Sequence, residues 1–222
     1  MKISKKDLAG MIDHTLLAST ATQDKIAVIC KEGKEYGFAS VCVNSCWVSL
    51  CKSLLESCEV KVCSVVGFPL GAMATAAKAY EAGRAVQDGA DEIDMVMNVG
   101  KLLPGTPEDL LYVKNDIKAV VEVASGNPVK VILETGYLSD EQVVTACRIA
   151  EDAGAHFVKT STGFGPPFEM KHIRLMRSTV GNTMGVKAAG GIKTYEKAIE
   201  VIQAGASRIG ASAGVTIVKG AE

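Results

Sequence analysis

Three side chains sit where their surroundings do not suit them. Lys159 lies in HFVKTSTGFG, Lys187 in MGVKAAGGI and Asp94 in DEIDMVMN. Each is a charged residue in an apolar, β-branched run, where burial statistics disfavour charge. Alternation along a strand puts Phe157, Lys159 and Ser161 on one face. With Val158 turned toward helices, Lys159 turns toward the enclosed side of the sheet. A lysine held there is partly desolvated, which favours the neutral amine that attacks carbonyls. Lys187 has the corresponding place in the next strand. A second ammonium nearby disfavours charge on the first, a known way to activate a Schiff-base lysine. Asp94 needs cationic partners, which the lysines supply, and from there it can relay a proton through a hydroxyl or a bound water. The structural alternative is a pair of lysines that reach solvent or merely neutralise a carboxylate.

A second set of residues has the chemistry of anion binding. Thr162-Gly163, Gly190-Gly191 and Gly210-Ala211-Ser212 follow three successive strand candidates late in the chain. Glycine lets backbone N–H groups approach an anion closely, and a helix start adds a favourable dipole. The stretch GASAGVTIV reads as such a short helix, beginning near Ser212. Asp13 in IDHTLL ends the first strand, where it can orient a lysine, bind a substrate hydroxyl or serve a turn. His14 has no second ligand nearby and reads as structural or hydrogen-bonding. Asp91 and Glu92 fall at the strand start and read as solvated.

These residues need a frame that brings strand ends together. Eight strand candidates run over Met11–Thr15, Ala39–Val43, Lys61–Gly67, Glu92–Met97, Lys130–Glu134, His156–Ser161, Gly185–Ala189 and Arg208–Gly210. Segments of helical period alternate with them at about Thr22–Tyr36, Cys46–Ser57, Thr75–Asp88, Pro107–Ser125, Asp140–Ala153, Glu169–Thr179 and Thr194–Ala204. The phrases VQDGADEID, AEDAGAHFVK and IQAGASRIG share one plan: a helix ends, a Gly-Ala pair follows and a strand begins. Such units imply parallel strands joined by helical crossovers. Eight of them predict a single-domain (β/α)8 barrel over residues 1–222. An open doubly wound sheet is the rival, but it usually carries a glycine-rich turn after its first strand, and HTLLAST has none. In a barrel the chemistry collects at the C-terminal ends of the strands, with phosphate commonly bound after the last two.

Composition removes other classes. The 222 residues are 48% hydrophobic and 22% charged, and 24 basic against 25 acidic side chains give a net charge of −1. No basic stripe suggests nucleic acid. Seven cysteines, with no CxxC spacing, read as reduced buried thiols rather than a disulfide framework or a zinc site. There is no nucleotide-binding fingerprint, no HExxH and no clustered ligand set, so the expectation is no metal and no cofactor. An imine is its own electron sink and needs none. No run of apolar residues is long enough for a membrane and no leader is legible, which implies a cytoplasmic protein.

VKTSTGFG, VKAAGGI, DEIDMVMNVG, RIGAS and IDHTLL together resemble the deoxyribose-phosphate aldolase family, over about residues 11 to 213. The resemblance implies a metal-independent class I aldolase that reversibly cleaves 2-deoxy-D-ribose 5-phosphate to acetaldehyde and D-glyceraldehyde 3-phosphate. It implies Lys159 as the Schiff-base lysine, with Lys187 as its perturbing neighbour and Asp94 in the proton relay. It also implies phosphate contacts at Gly163, Gly190, Gly191, Gly210 and Ser212, largely through backbone. Thr162 and Asp13 are expected in the same substrate site from their strand-end positions, and a homo-oligomer is expected because barrels often pair through helical faces. Cys42 sits where the family often has a cysteine near the pocket, without a catalytic role. Phe164 stands where some relatives carry lysine, and Lys193 offers a cation instead. The nearest competing reading is another class I aldolase with a different aldehyde or sugar phosphate. A phosphosugar isomerase or epimerase and a non-catalytic phosphate-binding barrel are the others, and neither of those forms an imine.

Overall fold

A computed structural model describes residues 3–221. Its elements follow the chain as α1 (Lys5–Ala9), β1 (Ile12–Leu16), α2 (Gln23–Tyr36), β2 (Ser40–Val43), α3 (Val48–Leu55), β3 (Lys61–Val66), α4 (Thr75–Gln87) and β4 (Glu92–Val96). They continue as α5 (Val99–Leu102), α6 (Pro107–Val123), β5 (Val129–Ile132), α7 (Asp140–Asp152), β6 (Phe157–Lys159), α8 (Met170–Val180), β7 (Gly185–Ala189), α9 (Tyr195–Gln203), β8 (Arg208–Ala211) and α10 (Gly214–Lys219). All strands are parallel, each pairs with the next, and β8 closes on β1, so the expected (β/α)8 barrel forms.

The Gly-Ala repeat explains how the units join. Gly89, Gly154 and Gly205 take φ of 106°, 85° and 116°, a region that side chains rarely tolerate. The following Ala90, Ala155 and Ala206 then donate N–H back to Ala85, Ala150 and Val201 at 2.9–3.0 Å, closing each helix end. The next residue is already in the sheet: Asp91, His156 and Ser207 donate to Val62, Val129 and Val186 at 2.8–2.9 Å. One short phrase therefore stops a helix and sets a strand's register.

Alternation divides the strand residues in two. Ile12, Val41, Val62, Ile93, Val131, Val158, Val186 and Ile209 face the helices and are fully buried in the main hydrophobic core. Their sequence neighbours face inward.

Several elements differ from expectation. The short helices α1 and α5 were not legible as helices, and both are capped by side chains, Ser4 accepting from Asp7 and Asn98 from Lys101. β6 ends at Lys159, not Ser161. There the Thr160 hydroxyl donates to Ala189 O (3.0 Å) and accepts from Ala189 N (2.9 Å), replacing the backbone ladder with side-chain bonds. α3 begins at Val48 behind a 3-10 turn over Ser45–Trp47, later than the pattern suggested. Among the described residues, no helix is long and apolar enough to cross a membrane.

Candidate active site

The inward face is ionic. Register sets Lys159 beside Lys187 and Asp94 beside Lys130, while β1 and β8 bring Asp13 beside Gly210. Asp94, Lys130, Glu92, Arg208, Asp13 and Lys187 then form a closed ring of alternating charge. Lys130 Nζ reaches Asp94 Oδ1 at 2.9 Å and Glu92 Oε2 at 2.6 Å. Arg208 reaches Glu92 Oε2 at 2.9 Å and Asp13 Oδ1 at 2.7 Å. Lys187 contacts Asp13 Oδ2 and lies 2.7 Å from Asp94 Oδ2, which closes the circuit. Ser40 donates to Asp13 at 2.6 Å. Three cations balance three carboxylates.

Lys159 stands outside that balance. Its Nζ lies 2.6 Å from Asp94 Oδ2, the oxygen that also holds Lys187, and it has no carboxylate of its own. It is also the member of the group that lines the open pocket, while Asp94 and Lys187 are fully buried beneath.

Burial by itself would push both ring aspartates up. For Asp94, the nearby Lys130, Lys159 and Lys187 overcome it and hold the carboxyl well below its usual range. Asp13 is held low in the same way, chiefly by Lys187. Burial would push Lys187 down, but Asp13 and Asp94 raise it, so it stands as an ammonium in the resting site. The repulsion between two lysines expected from the sequence is therefore mediated: a shared carboxylate oxygen sits between the two ammonium groups.

The pocket is a cavity of about 290 Å³ at the C-terminal ends of the strands. Lys159 lies at its floor, and Thr162, Gly163, Gly190, Gly191, Gly210 and Ser212 all line it. Gly190 and Gly191 take φ of 101° and 73°. A Cβ on Gly210 would meet Lys187 Cε at 3.1 Å and Ala189 Cβ at 3.0 Å, so any side chain there would press on the ring. Lys193 is an exposed cation on the same wall. The short helix after Ser212 is α10, and it begins only at Gly214. Gly210, Ala211 and Ser212, which precede the helix, line that wall.

Asp13 lies elsewhere than a pocket wall. It is fully buried and bonds to Lys187, Arg208 and Ser40, so it orients a lysine rather than lining the cavity. Glu92 corrects the expectation of a solvated strand start: it is 8% exposed and ion-paired inside the barrel. Asp91 does sit at the rim, accepting from Val62 N at 2.9 Å and pairing with Lys52. His14 bonds Glu32 at 2.6 Å on the helix side.

Lys130, Arg208 and Glu134 were not singled out from the sequence. Lys130 carries the same signal as the other two lysines, a Val-Lys step in an apolar strand. Glu134 gives no such signal. It is buried at φ 55°, a conformation costly for a non-glycine residue. It accepts from Thr162 N at 3.1 Å and Thr162 Oγ1 at 2.5 Å, anchoring the loop after β6.

The profile of the DeoC/LacD family aldolases matches residues 8–220. The chain is 54% identical over 217 residues to deoxyribose-phosphate aldolase 1 of Bacillus licheniformis, covering 97% of this chain and 96% of that one. It is 54% identical over 224 residues to the deoxyribose-phosphate aldolase of Thermococcus kodakarensis, covering 99% of each. Among solved structures, the tetrameric deoxyribose phosphate aldolase of Aeropyrum pernix superposes with a TM-score of 0.89 at 34% identity, over 97% of this chain and 91% of that one. A mandelate oxidase at 16% identity and a TM-score of 0.63, over 92% of this chain and 70% of that one, shares the fold alone.

Proposed function

The chain belongs to the DeoC/LacD family of aldolases, and from that premise we propose that it is a class I aldolase acting reversibly on 2-deoxy-D-ribose 5-phosphate through an imine at Lys159. One observation carries the assignment of the nucleophile. The six-membered ring is electrically balanced without Lys159, and Lys159 alone faces the pocket. With Lys159 as a neutral amine, the buried cluster has no net charge.

The amine attacks the C1 aldehyde of the open-chain sugar. The carbinolamine takes up a proton and loses water to give the iminium. Asp94 Oδ2 touches both Lys159 and Lys187, so a proton from the Lys187 ammonium has a short path to that step. The C3 hydroxyl then gives up its proton, through a bound water, to the Asp94–Lys187 relay as the C2–C3 bond breaks. Its bonding electrons pass into the iminium, which becomes the two-carbon enamine, and glyceraldehyde 3-phosphate departs. Protonation at C2 and hydrolysis release acetaldehyde and restore the amine. The low basicity of Asp94 suits it to pass a proton on rather than keep it. The glycine loops and Lys193 hold the phosphate, which fixes the far end of the substrate against Lys159. The protein works in the cytoplasm as a homo-oligomer on this reading.

Incubation with acetaldehyde and sodium borohydride, followed by digestion and mass spectrometry, tests it. A reduced ethyl adduct confined to Lys159 is expected. No adduct, or labelling no more selective than in denatured protein, means the strand lysines bind rather than react.

A further inference from the structure

The barrel interior holds two thiols that the reaction does not use. Cys42 on β2 and Cys63 on β3 are register partners on the inward face, and both are fully buried. Cys63 Sγ lies 3.2 Å from Asp94 Oδ1. The two sulfurs and an Asp94 oxygen all lie within 4.8 Å of one another, the one such grouping of three donors among the described residues. We propose that Cys42, Cys63 and Asp94 form a binding site for a soft divalent cation of the Zn²⁺ or Cd²⁺ class, whose occupation suppresses turnover.

The donor set selects the ion. Zn²⁺ is bound by thiolate at about 2.3 Å and by carboxylate oxygen at about 2.0–2.2 Å, so two donors on one ion are at most about 4.6 Å apart, and the three side chains close in on it by small rotations. Two thiolates favour soft metals over Mg²⁺ or Ca²⁺. The fourth position of a tetrahedral ion is open to water.

Charge also permits it. Binding exchanges one divalent ion for two thiol protons: the two S–H bonds become two S–metal bonds, and two protons leave. The net charge beside Lys130, which lies 2.9 Å from Asp94 Oδ1 and 3.5 Å from Cys63 Sγ, is unchanged by the exchange. Leu17, which lines the pocket, and Phe68 are the partly buried side chains packed against the thiol cluster, so an ion arriving from the pocket must pass them.

The bound ion takes Asp94 by Oδ1, while Oδ2 holds Lys159 and Lys187. It draws electron density from the carboxylate that relays the proton and competes with Lys130 for it. That consequence rests on the aldolase reading; the binding does not.

The test is titration of the full chain with CdCl₂ in excess Mg²⁺, read by the sulfur-to-cadmium charge-transfer absorbance, by proton release into a pH indicator and by X-ray absorption at the cadmium edge. Expected is one tight site per chain with two sulfur and at least one oxygen neighbours, releasing two protons. Cys42→Ser and Cys63→Ser each abolish it. Cys30→Ser with Cys51→Ser leaves it intact, since that pair lies between α2 and α3 away from the barrel interior. Aldol cleavage falls in step with cadmium occupancy and returns on chelation. A tight site that survives Cys42→Ser or Cys63→Ser, or that disappears with Cys30 and Cys51, overturns the proposal. If the serine variants do not fold, the Cys30→Ser/Cys51→Ser protein decides, because a cadmium neighbourhood there with fewer than two sulfurs is equally fatal. Tight binding with unchanged cleavage overturns the inhibitory role. An absence of cleavage in metal-free protein is a separate failure, that of the aldolase reading.

Discussion

The two faces of the same eight strands bury opposite chemistries. The outer face is a continuous apolar layer: Val41, Val62, Ile93, Val131, Val158, Val186 and Ile209 pack against the helices with no exposed surface. The inner face buries Asp13, Asp94, Lys130 and Lys187 as completely. Apolar packing is tolerant, because a neighbouring side chain can shift to fill part of a gap. The ion ring has no such freedom. Each member has two oppositely charged partners, and removing one strands charges that water cannot reach. The outer layer holds the barrel together; the inner one holds Lys159 in place and arranges what surrounds it.

That contrast can be broken at its functional point first. Lys159→Leu is expected to bring cleavage down to the uncatalysed background with little change in circular dichroism or melting. Lys159 stands outside the balanced ring, so its loss leaves Asp94 still paired with Lys130 and Lys187. Turnover above background in a clean Lys159→Leu preparation sinks the assignment.

Lys187→Leu breaks the ring itself, leaving Asp13 and Asp94 each one partner short. The expected loss of stability is about 3–5 kcal/mol, the usual scale for half of a buried ion pair. The catalytic rate should fall by about 10²–10⁴-fold, as for loss of an acid–base group. Denaturant melts and kcat on the folded fraction separate the two. A variant as stable as the parent shows that the ring does not act as a unit.

The ring also fixes how stability depends on pH. The folded-state pKa values of Asp94 and Asp13 are depressed, so their contribution is present above the unfolded value of about 3.9 and is lost as pH falls below it toward the folded values. Lys130 and Lys187 are raised, so theirs is complete below about 10.4 and is lost as pH rises through the folded values. A melting temperature that is level between about pH 5 and 9 and falls beyond both ends is expected. A steady slope across the neutral range contradicts a ring that is fully charged.

The smallest effect belongs to the apolar layer. Ile173→Val on α8, fully buried against the sheet, should cost about 0.5–1.5 kcal/mol and leave kcat and KM unchanged. A matching loss of activity would mean that the outer layer tunes the site after all.

Much of this was open to reading because local rules produce it. Strand and helix periods follow from side-chain direction, and the Gly-Ala steps follow from the left-handed turn that ends a helix; Gly89, Gly154 and Gly205 occupy it. Lys159, Lys187 and Asp94 were conspicuous because charge in an apolar strand needs a reason. Glu92 misled, since a glutamate at a strand start next to Asp91 is ordinarily solvated. Lys130 and Arg208 each begin a strand candidate, where a long cation ordinarily reaches water.

What the sequence determined by itself was the set of units and the presence of misplaced charges among them. Only closure of the barrel decided how those charges pair. Arg208 meets Asp13 across 195 residues and Glu92 across 116. Their partnership depends on strand register and on β8 returning to β1, which no local pattern encodes. Register along β2, β3 and β4 sets Cys42 beside Cys63 and Asp94, and closure of the ring leaves Lys159 outside its balance. Electrostatic pairing acts over a few ångströms in space whatever the separation along the chain, so it is written by the tertiary structure.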